Sequence, residues 1–399
     1  MAQSGEILPE NSSLENLLEQ GKVAQEAGNY LQAESLWRRA IELNPNHAIA
    51  YYNLGNTLYS QNKIDQAIAA YREAIKLDPN YAPGYYNLGN ALYNLGELDE
   101  AIANYRQAIA QDPNYDRAYN NLGNALKQKG ELDEAIATYR QAIAQDPNYA
   151  AAYYNLGNAL YNSTKIEEAI AAYQQALELA PNHAGAYLNL GNALYNLGRM
   201  PEAIVAYREG LKLEPNHTSA YYNLGNALRQ QGQLNEALAA YQQMLEINPN
   251  LPPAYLGLGL TWKSQGQLDR AIAAYQKAIE LDPHEGLAYY HLGIAYSQTG
   301  KITEAIAAYR RSIELNPNNA GAYGNLGLLL RQQGNLSETE TAFRELILLR
   351  PRMPQAYNDL GETLKLQGKL SEARQQFEQA LEIEPNFQPA QRNLTSLQR

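Results

Sequence analysis

Proline and glycine keep one clock through this chain. Pro45, Pro79, Pro113, Pro147, Pro181, Pro215, Pro249, Pro283, Pro317, Pro351 and Pro385 follow at intervals of 34 residues without an exception. Gly21, Gly55, Gly89, Gly123, Gly157, Gly191, Gly225, Gly259, Gly293, Gly327 and Gly361 keep the same step. A strict period of this kind marks one unit repeated, in which each copy packs only on its neighbours. With the glycine at position 8 and the proline at position 32, residues 14–387 divide into eleven repeats without insertion or deletion. They are 14–47, 48–81, 82–115, 116–149, 150–183, 184–217, 218–251, 252–285, 286–319, 320–353 and 354–387. Residues 1–13 read as a polar leader. Residues 388–399 read as an unfinished twelfth repeat and a capping helix, with Leu394 at position 7 but Gln391 and Thr395 in place of the usual tyrosine and glycine.

Within a repeat the apolar spacing is helical. Tyr51, Leu54, Gly55 and Leu58 stand at i, i+3, i+4 and i+7, and a second stripe runs through Ile64, Ala67, Ile68, Tyr71, Ala74 and Ile75. Glycine at position 15 (Gly96, Gly130, Gly198, Gly232) stops the first helix, and acidic residues such as Asp99 and Glu100 open the second. The proline at position 32 closes the repeat. Each repeat therefore reads as helix, turn, helix, turn, with tyrosine at positions 4 and 24 as core. Ser12 with Glu15 three residues later reads as a capping box at the start of the first helix.

Composition narrows the function classes. No cysteine is present, so disulfides, thiolate metal sites and cysteine nucleophiles are excluded. A formal charge of -11 speaks against a nucleic-acid backbone as partner. No secretory signal and no membrane-length apolar run is visible, which leads to the expectation of a soluble, cytoplasmic protein without membrane insertion. His47, His183 and His217 fall at position 34, the turn between repeats, where solvated side chains are expected; no metal cluster, phosphate loop or nucleophile elbow emerges. Neither catalytic activity nor a cofactor or small-molecule substrate is expected.

The aromatic, Leu-Gly, aromatic, Ala, aromatic, Ala and Pro pattern resembles the tetratricopeptide repeat, or TPR. Residues 48–81 supply it as Tyr51, Leu54, Gly55, Leu58, Ala67, Tyr71, Ala74 and Pro79, and the likeness spans 374 of 399 residues. The wording of the repeats is similar to bacterial, especially cyanobacterial, members. The resemblance implies an all-α, right-handed α-solenoid superhelix whose concave surface is lined by positions 2, 5, 6, 9, 12 and 13 of the first helices.

Those positions are unusual here. Position 6 carries Asn53, Asn87, Asn121, Asn155, Asn189, Asn223 and Asn325; position 9 carries Asn56, Asn90, Asn124, Asn158, Asn192 and Asn226. Tyr52, Tyr86, Tyr154 and Tyr222 stand at position 5, and Tyr59, Tyr93, Tyr161 and Tyr195 at position 12. A carboxamide both donates and accepts, so it suits the backbone of an extended peptide, and tyrosine adds apolar contact at small entropic cost. The asparagine ladder is similar to that of the TPR superhelix of O-linked N-acetylglucosamine transferases, although no transferase catalytic region accompanies it. Asn at position 9 equally suits a bond between adjacent helices that fixes repeat geometry. The carboxylate-capturing mode of chaperone adaptors is not expected, since position 5 is never basic, position 6 is never Arg and position 2 offers only Arg117.

The ladder breaks at the eighth repeat, where Pro252-Pro253 opens the repeat and Leu256, Gly257 and Leu260 replace Tyr, Asn and Asn. Residues 1–251 carry 16 basic and 27 acidic side chains, whereas 252–399 carry 15 of each. Leu260 with Lys263 and Leu328 with Arg331 suggest a second, apolar and basic binding segment, unless the array has merely drifted. The expectation is a scaffold that binds extended peptide segments of partner proteins. A substrate-recruiting subunit of a separate enzyme, such as a glycosyltransferase, is the alternative, and a structural spacer the third reading.

Overall fold

The computed structural model describes residues 13–397, which contain 23 helices and no strand. First helices begin every 34 residues, from Leu14–Glu26 and Ala48–Ser60 to Pro354–Leu366; second helices do the same, from Tyr30–Leu43 to Leu370–Ile383. Gln388–Ser396 is the last helix. The chain forms two compact units, Met1–Arg199 and Met200–Arg399. Inside each, the second helix of one repeat packs on the first helix of the next.

The turns follow from local chemistry. Gly96 and Gly130 sit at φ 82° and 90°, the left-handed region where a Cβ is unwelcome, and the amide of Glu97 returns to the Leu92 carbonyl at 3.0 Å. Two repeats make the same turn without glycine: Asn62 and Thr164 both stand at φ 61°. The second turn is set by the residue before the proline. Asp78, Asp112 and Asp146 each accept, through Oδ1, the amide two residues on at 2.9–3.1 Å. The histidines at position 34 then cap the next helix: Nδ1 of His47, His183 and His217 accepts from the amides of Ala50, Ala186 and Ala220. They are half-buried caps rather than solvated turn residues. The first helix is capped by Ser13, whose Oγ accepts from the Asn16 amide at 3.3 Å; the expected cap Ser12 lies outside the described residues.

The core centres on position 24. Tyr71, Tyr105, Tyr139 and Tyr173, with Trp37, Phe343 and Phe377 at equivalent places, are essentially inaccessible. Each tyrosine ring lies on the position-8 glycine of its own repeat, so closely that a Cβ on Gly55, Gly89 or Gly157 would come within 2.5–2.7 Å of it. Burial also departs from the simple helical stripe. Alanines at positions 3 and 10, such as Ala118 and Ala125, are fully buried, while the position-4 tyrosines, including Tyr51 and Tyr85, are only half-buried. A first helix is covered by the second helices on both sides, so small residues line its closest approaches and large ones are pushed to the seam. Ion pairs 28 residues apart, such as Arg72–Glu100 and Arg140–Glu168, link neighbouring repeats but are half exposed and contribute little.

Thr164 is the one β-branched residue in a left-handed turn. Replacing it with the residue other repeats use relieves about 1–2 kcal/mol of strain, less the entropy that glycine gains on unfolding. Thr164→Gly should therefore raise the urea midpoint by a net ~0.5–1 kcal/mol, and Gly96→Thr should lower it. An unchanged or reduced midpoint in Thr164→Gly contradicts the strain assignment.

Candidate functional site

In the N-terminal unit the two asparagine rows are joined to each other. The Tyr71 hydroxyl donates to Asn56 Oδ1 at 2.8 Å, and Asn87 Nδ2, from the next repeat, donates to the same oxygen at 2.8 Å. Asn87 Nδ2 also reaches the Tyr52 hydroxyl at 3.0 Å. The arrangement repeats with Tyr105, Asn90, Asn121 and Tyr86, and again with Tyr173, Asn158, Asn189 and Tyr154. The rung at the fourth repeat differs because position 5 there is Asn120. Tyr139 still donates to Asn124, but Asn155 donates to Asn120 Oδ1 instead. A position-9 amide oxygen thus ties its own core tyrosine to the following repeat. The position-5 rings are also engaged: Tyr52 lies 5.0 Å from Tyr81, Tyr86 4.9 Å from Tyr115, and Tyr154 4.5 Å from His183 between ring centroids.

Half of each rung remains available. In a complete rung Asn87 keeps its Oδ1 and Asn90 its Nδ2, which meet only at the long distance of 3.5 Å. Asn53, at the start of the row, has no side-chain hydrogen bond among the described residues. Position-12 tyrosines stand beside these amides, and three cavities result. Tyr59 with Asn56, Asn87 and Asn90 lines one of about 270 Å³; Tyr93 with Asn90, Asn121 and Asn124 lines one of about 280 Å³. Tyr161 with Asn158, Asn189 and Asn192 lines one of about 330 Å³. The third also holds Lys127, which the reading of the asparagine ladder overlooked although it replaces a tyrosine at position 12. Burial pulls the Lys127 ammonium below the usual lysine range, and it has no ion-pair partner among the described residues. Tyr59 and Tyr161 accept bonds from Asn94 and Asn196 of the following turns.

The C-terminal unit changes the chemistry. Tyr241 still donates to Asn226 at 2.8 Å and Tyr222 stacks beside it at 6.3 Å; Asn223 is half-buried in the same row. With Leu260 in place of asparagine, the Tyr275 hydroxyl is buried without a partner, as are His291 Nδ1 and Arg229 Nε. Burial, then Lys263 and Arg229, push the His291 imidazole down to about 4. Tyr309, whose repeat carries Ile294, bonds Asn325 of the next repeat instead. Arg331 is not a free cation: it pairs with Asp359 at 3.3 Å and Glu362 at 2.9 Å and lies over Phe343. The rung returns at the end, where Asn393 of the last helix donates to Asn358 and Glu362, both at 2.9 Å.

Two measurements follow. Tyr105→Phe removes one bond from Asn90 and should cost about 0.5–1.5 kcal/mol, whereas Tyr275→Phe removes an unpartnered hydroxyl and should be neutral or stabilising; urea midpoints decide, and equal losses would contradict the rung. The unfolded chain protonates His291 as pH falls through 6.5, but the folded chain resists until about 4. Its neutral form therefore supports the fold fully above 6.5, and that support drains away between 6.5 and 4. His291→Asn should flatten this part of the stability profile by on the order of 2–3 kcal/mol, read from urea midpoints at a series of pH values.

No helix among the described residues is long and apolar enough to cross a membrane. Models of the tetratricopeptide repeat match residues 36–69, 55–96, 89–130, 123–163 and 154–212. The model of the cilia and flagella-associated protein 70 C-terminal domain matches 215–398. No curated protein matches the chain. Among solved structures, YrrB, described as a TPR protein with an unusual peptide-binding site, is 28% identical over 46% of this chain and 95% of its own, with a TM-score of 0.40. MamA is 30% identical over 41% and 95%, with a TM-score of 0.39. A chain of the APC/C hetero-tetramer Cut9-Hcn1 is 14% identical over 98% and 97%, with a TM-score of 0.48. By its unbroken frame and these family matches, the chain belongs to the tetratricopeptide repeat family.

Proposed function

We propose that this protein is a non-catalytic interaction scaffold, and that its N-terminal unit holds an extended segment of a partner protein along the row of amide-and-tyrosine cavities. The recurrence of that cavity carries the reading. Tyr59, Tyr93 and Tyr161 each open beside asparagines from two successive repeats. A complete rung retains one amide acceptor and one donor, the pair that a peptide backbone needs. Each such bond is worth only about 0.5–1.5 kcal/mol, so binding draws on several repeats at once. The phenol rings add contact area with little rotamer freedom to lose. Lys127 adds a preference for a carboxylate side chain opposite the third cavity. The other half of each rung is already spent on repeat geometry, so position 9 serves fold and recognition together.

Photoreactive residues introduced at Tyr93 and at Tyr161, followed by in-cell crosslinking and mass spectrometry, should recover one shared set of proteins. Tyr93→Ala with Tyr161→Ala should reduce that capture by at least about tenfold without moving the urea midpoint appreciably, because both rings are half-exposed. Asn158→Ala should lower the midpoint as well, by about 1–3 kcal/mol. Crosslinks no richer than non-specific background at both tyrosines would overturn the proposal.

A further inference from the structure

Five repeats carry tyrosine at position 5: Tyr52, Tyr86, Tyr154, Tyr222 and Tyr290. In three of them that ring packs on an aromatic residue at position 34, with centroids 4.5–5.0 Å apart. The tenth repeat has neither partner, since Gly324 stands at position 5 and Met353 at position 34. A cavity of about 840 Å³ opens there, far larger than the polar cavities of the N-terminal unit. Leu328, Leu346, Leu349, Met353 and Pro354 form most of its apolar lining, and Leu328 is 43% exposed. A Cβ placed on Gly324 would touch only Leu346 Cδ2, at 3.5 Å, so no side chain of this repeat has taken the place of the missing ring. The volume lies within the range of cavities that take up small ligands and buried side chains.

The charges around this cavity are one-sided. Arg350 and Arg352 line it, are exposed, and have no carboxylate partner among the described residues. Asp359, the acidic group in the lining, is already held by Arg331. An apolar recess with two uncompensated guanidinium groups selects a ring that arrives with negative charge beside it.

We infer that this cavity receives an aromatic side chain of a partner protein segment in which acidic residues flank the ring. The partner's ring fills the space that the repeat's own tyrosine occupies elsewhere, and Arg350 and Arg352 hold the flanking carboxylates. The inference rests on the protein binding partner segments, but it uses none of the residues of the amide-and-tyrosine row.

The chain has four methionines, Met1, Met200, Met244 and Met353, and Met353 lines the cavity while Met244 is buried in the core. Methyl-labelled methionine in the full chain therefore gives a local reporter with an internal control of folding. The probe is a blocked pentapeptide Gly-Asp-Phe-Asp-Gly, compared with the same peptide carrying Ala for Phe and with one carrying Lys for both Asp. The Phe–Asp peptide should shift the Met353 methyl signal saturably and leave Met244 in place. The Ala peptide should bind at least about tenfold more weakly, the loss expected for a ring left in water, and the Lys peptide should also be weaker.

Gly324→Tyr restores the residue used at this position by five other repeats and should abolish the Met353 shift, with an unchanged Met244 signal reporting an intact core. Should that ring disturb the fold, Arg350→Glu with Arg352→Glu, both at exposed positions, should still weaken the Phe–Asp peptide and favour the Lys peptide. No Met353 shift at millimolar peptide, equal binding of the Ala peptide, or charge reversal without effect would each overturn the inference. Tyr93→Ala with Tyr161→Ala should leave this titration unaltered, so failure of the polar row and failure of the cavity are separately visible.

Discussion

The fold depends on one contact made again in most repeats: the position-24 ring lying on the position-8 glycine. No side chain fits at position 8, because a Cβ there would stand about 2.5–2.8 Å from the ring. The ring in turn places its hydroxyl under the asparagine next to that glycine, as Tyr105 does with Asn90 at 2.8 Å. A buried phenol hydroxyl needs a partner, and the amide oxygen that serves it has a second lone pair, which takes Asn121 of the following repeat. Packing within a repeat and registration between repeats are therefore settled by the same few atoms.

This coupling explains which residues change together. Where Leu328 replaces the position-9 asparagine, Phe343 replaces the tyrosine, and no hydroxyl is stranded. At the eighth repeat only one half of the change has occurred. Leu260 is present but Tyr275 remains, and its hydroxyl, together with Arg229 Nε and His291 Nδ1, is buried without a partner. At the C-terminal end Asn393 uses the same geometry with Glu362 in the amide's role, so the closing helix docks by the array's own rule.

Binding, on the proposed reading, occupies what the rung leaves over. In the N-terminal unit that is a donor and an acceptor per complete rung and the open side of a position-12 tyrosine. In the C-terminal unit the repeat pattern itself has been relaxed at Gly324 and Met353, and the space left by the absent ring is apolar with an arginine on either side of Pro351. The two chemistries differ because one adds to an intact repeat while the other comes from removing a part of it.

The helices, their boundaries and the frame were legible from the proline and glycine steps, because a 34-residue pattern repeated this often leaves no competing alignment. The buried tyrosine at position 24 was legible too, since it recurs on the apolar stripe of the second helix. The sequence alone could not divide the asparagines' work. A helical wheel places Asn87 and Asn90 on the face away from the core, but it does not contain the next repeat, whose approach turns half of each amide inward. For the same reason Arg331 reads as a free cation until Asp359 and Glu362 are brought beside it from the following helix. Likewise the 840 Å³ cavity follows from two absences 29 residues apart, Gly324 and Met353, that only packing places side by side. Periodicity fixes what each helix must bury; which polar atoms remain for a partner is decided by the distance between neighbouring repeats.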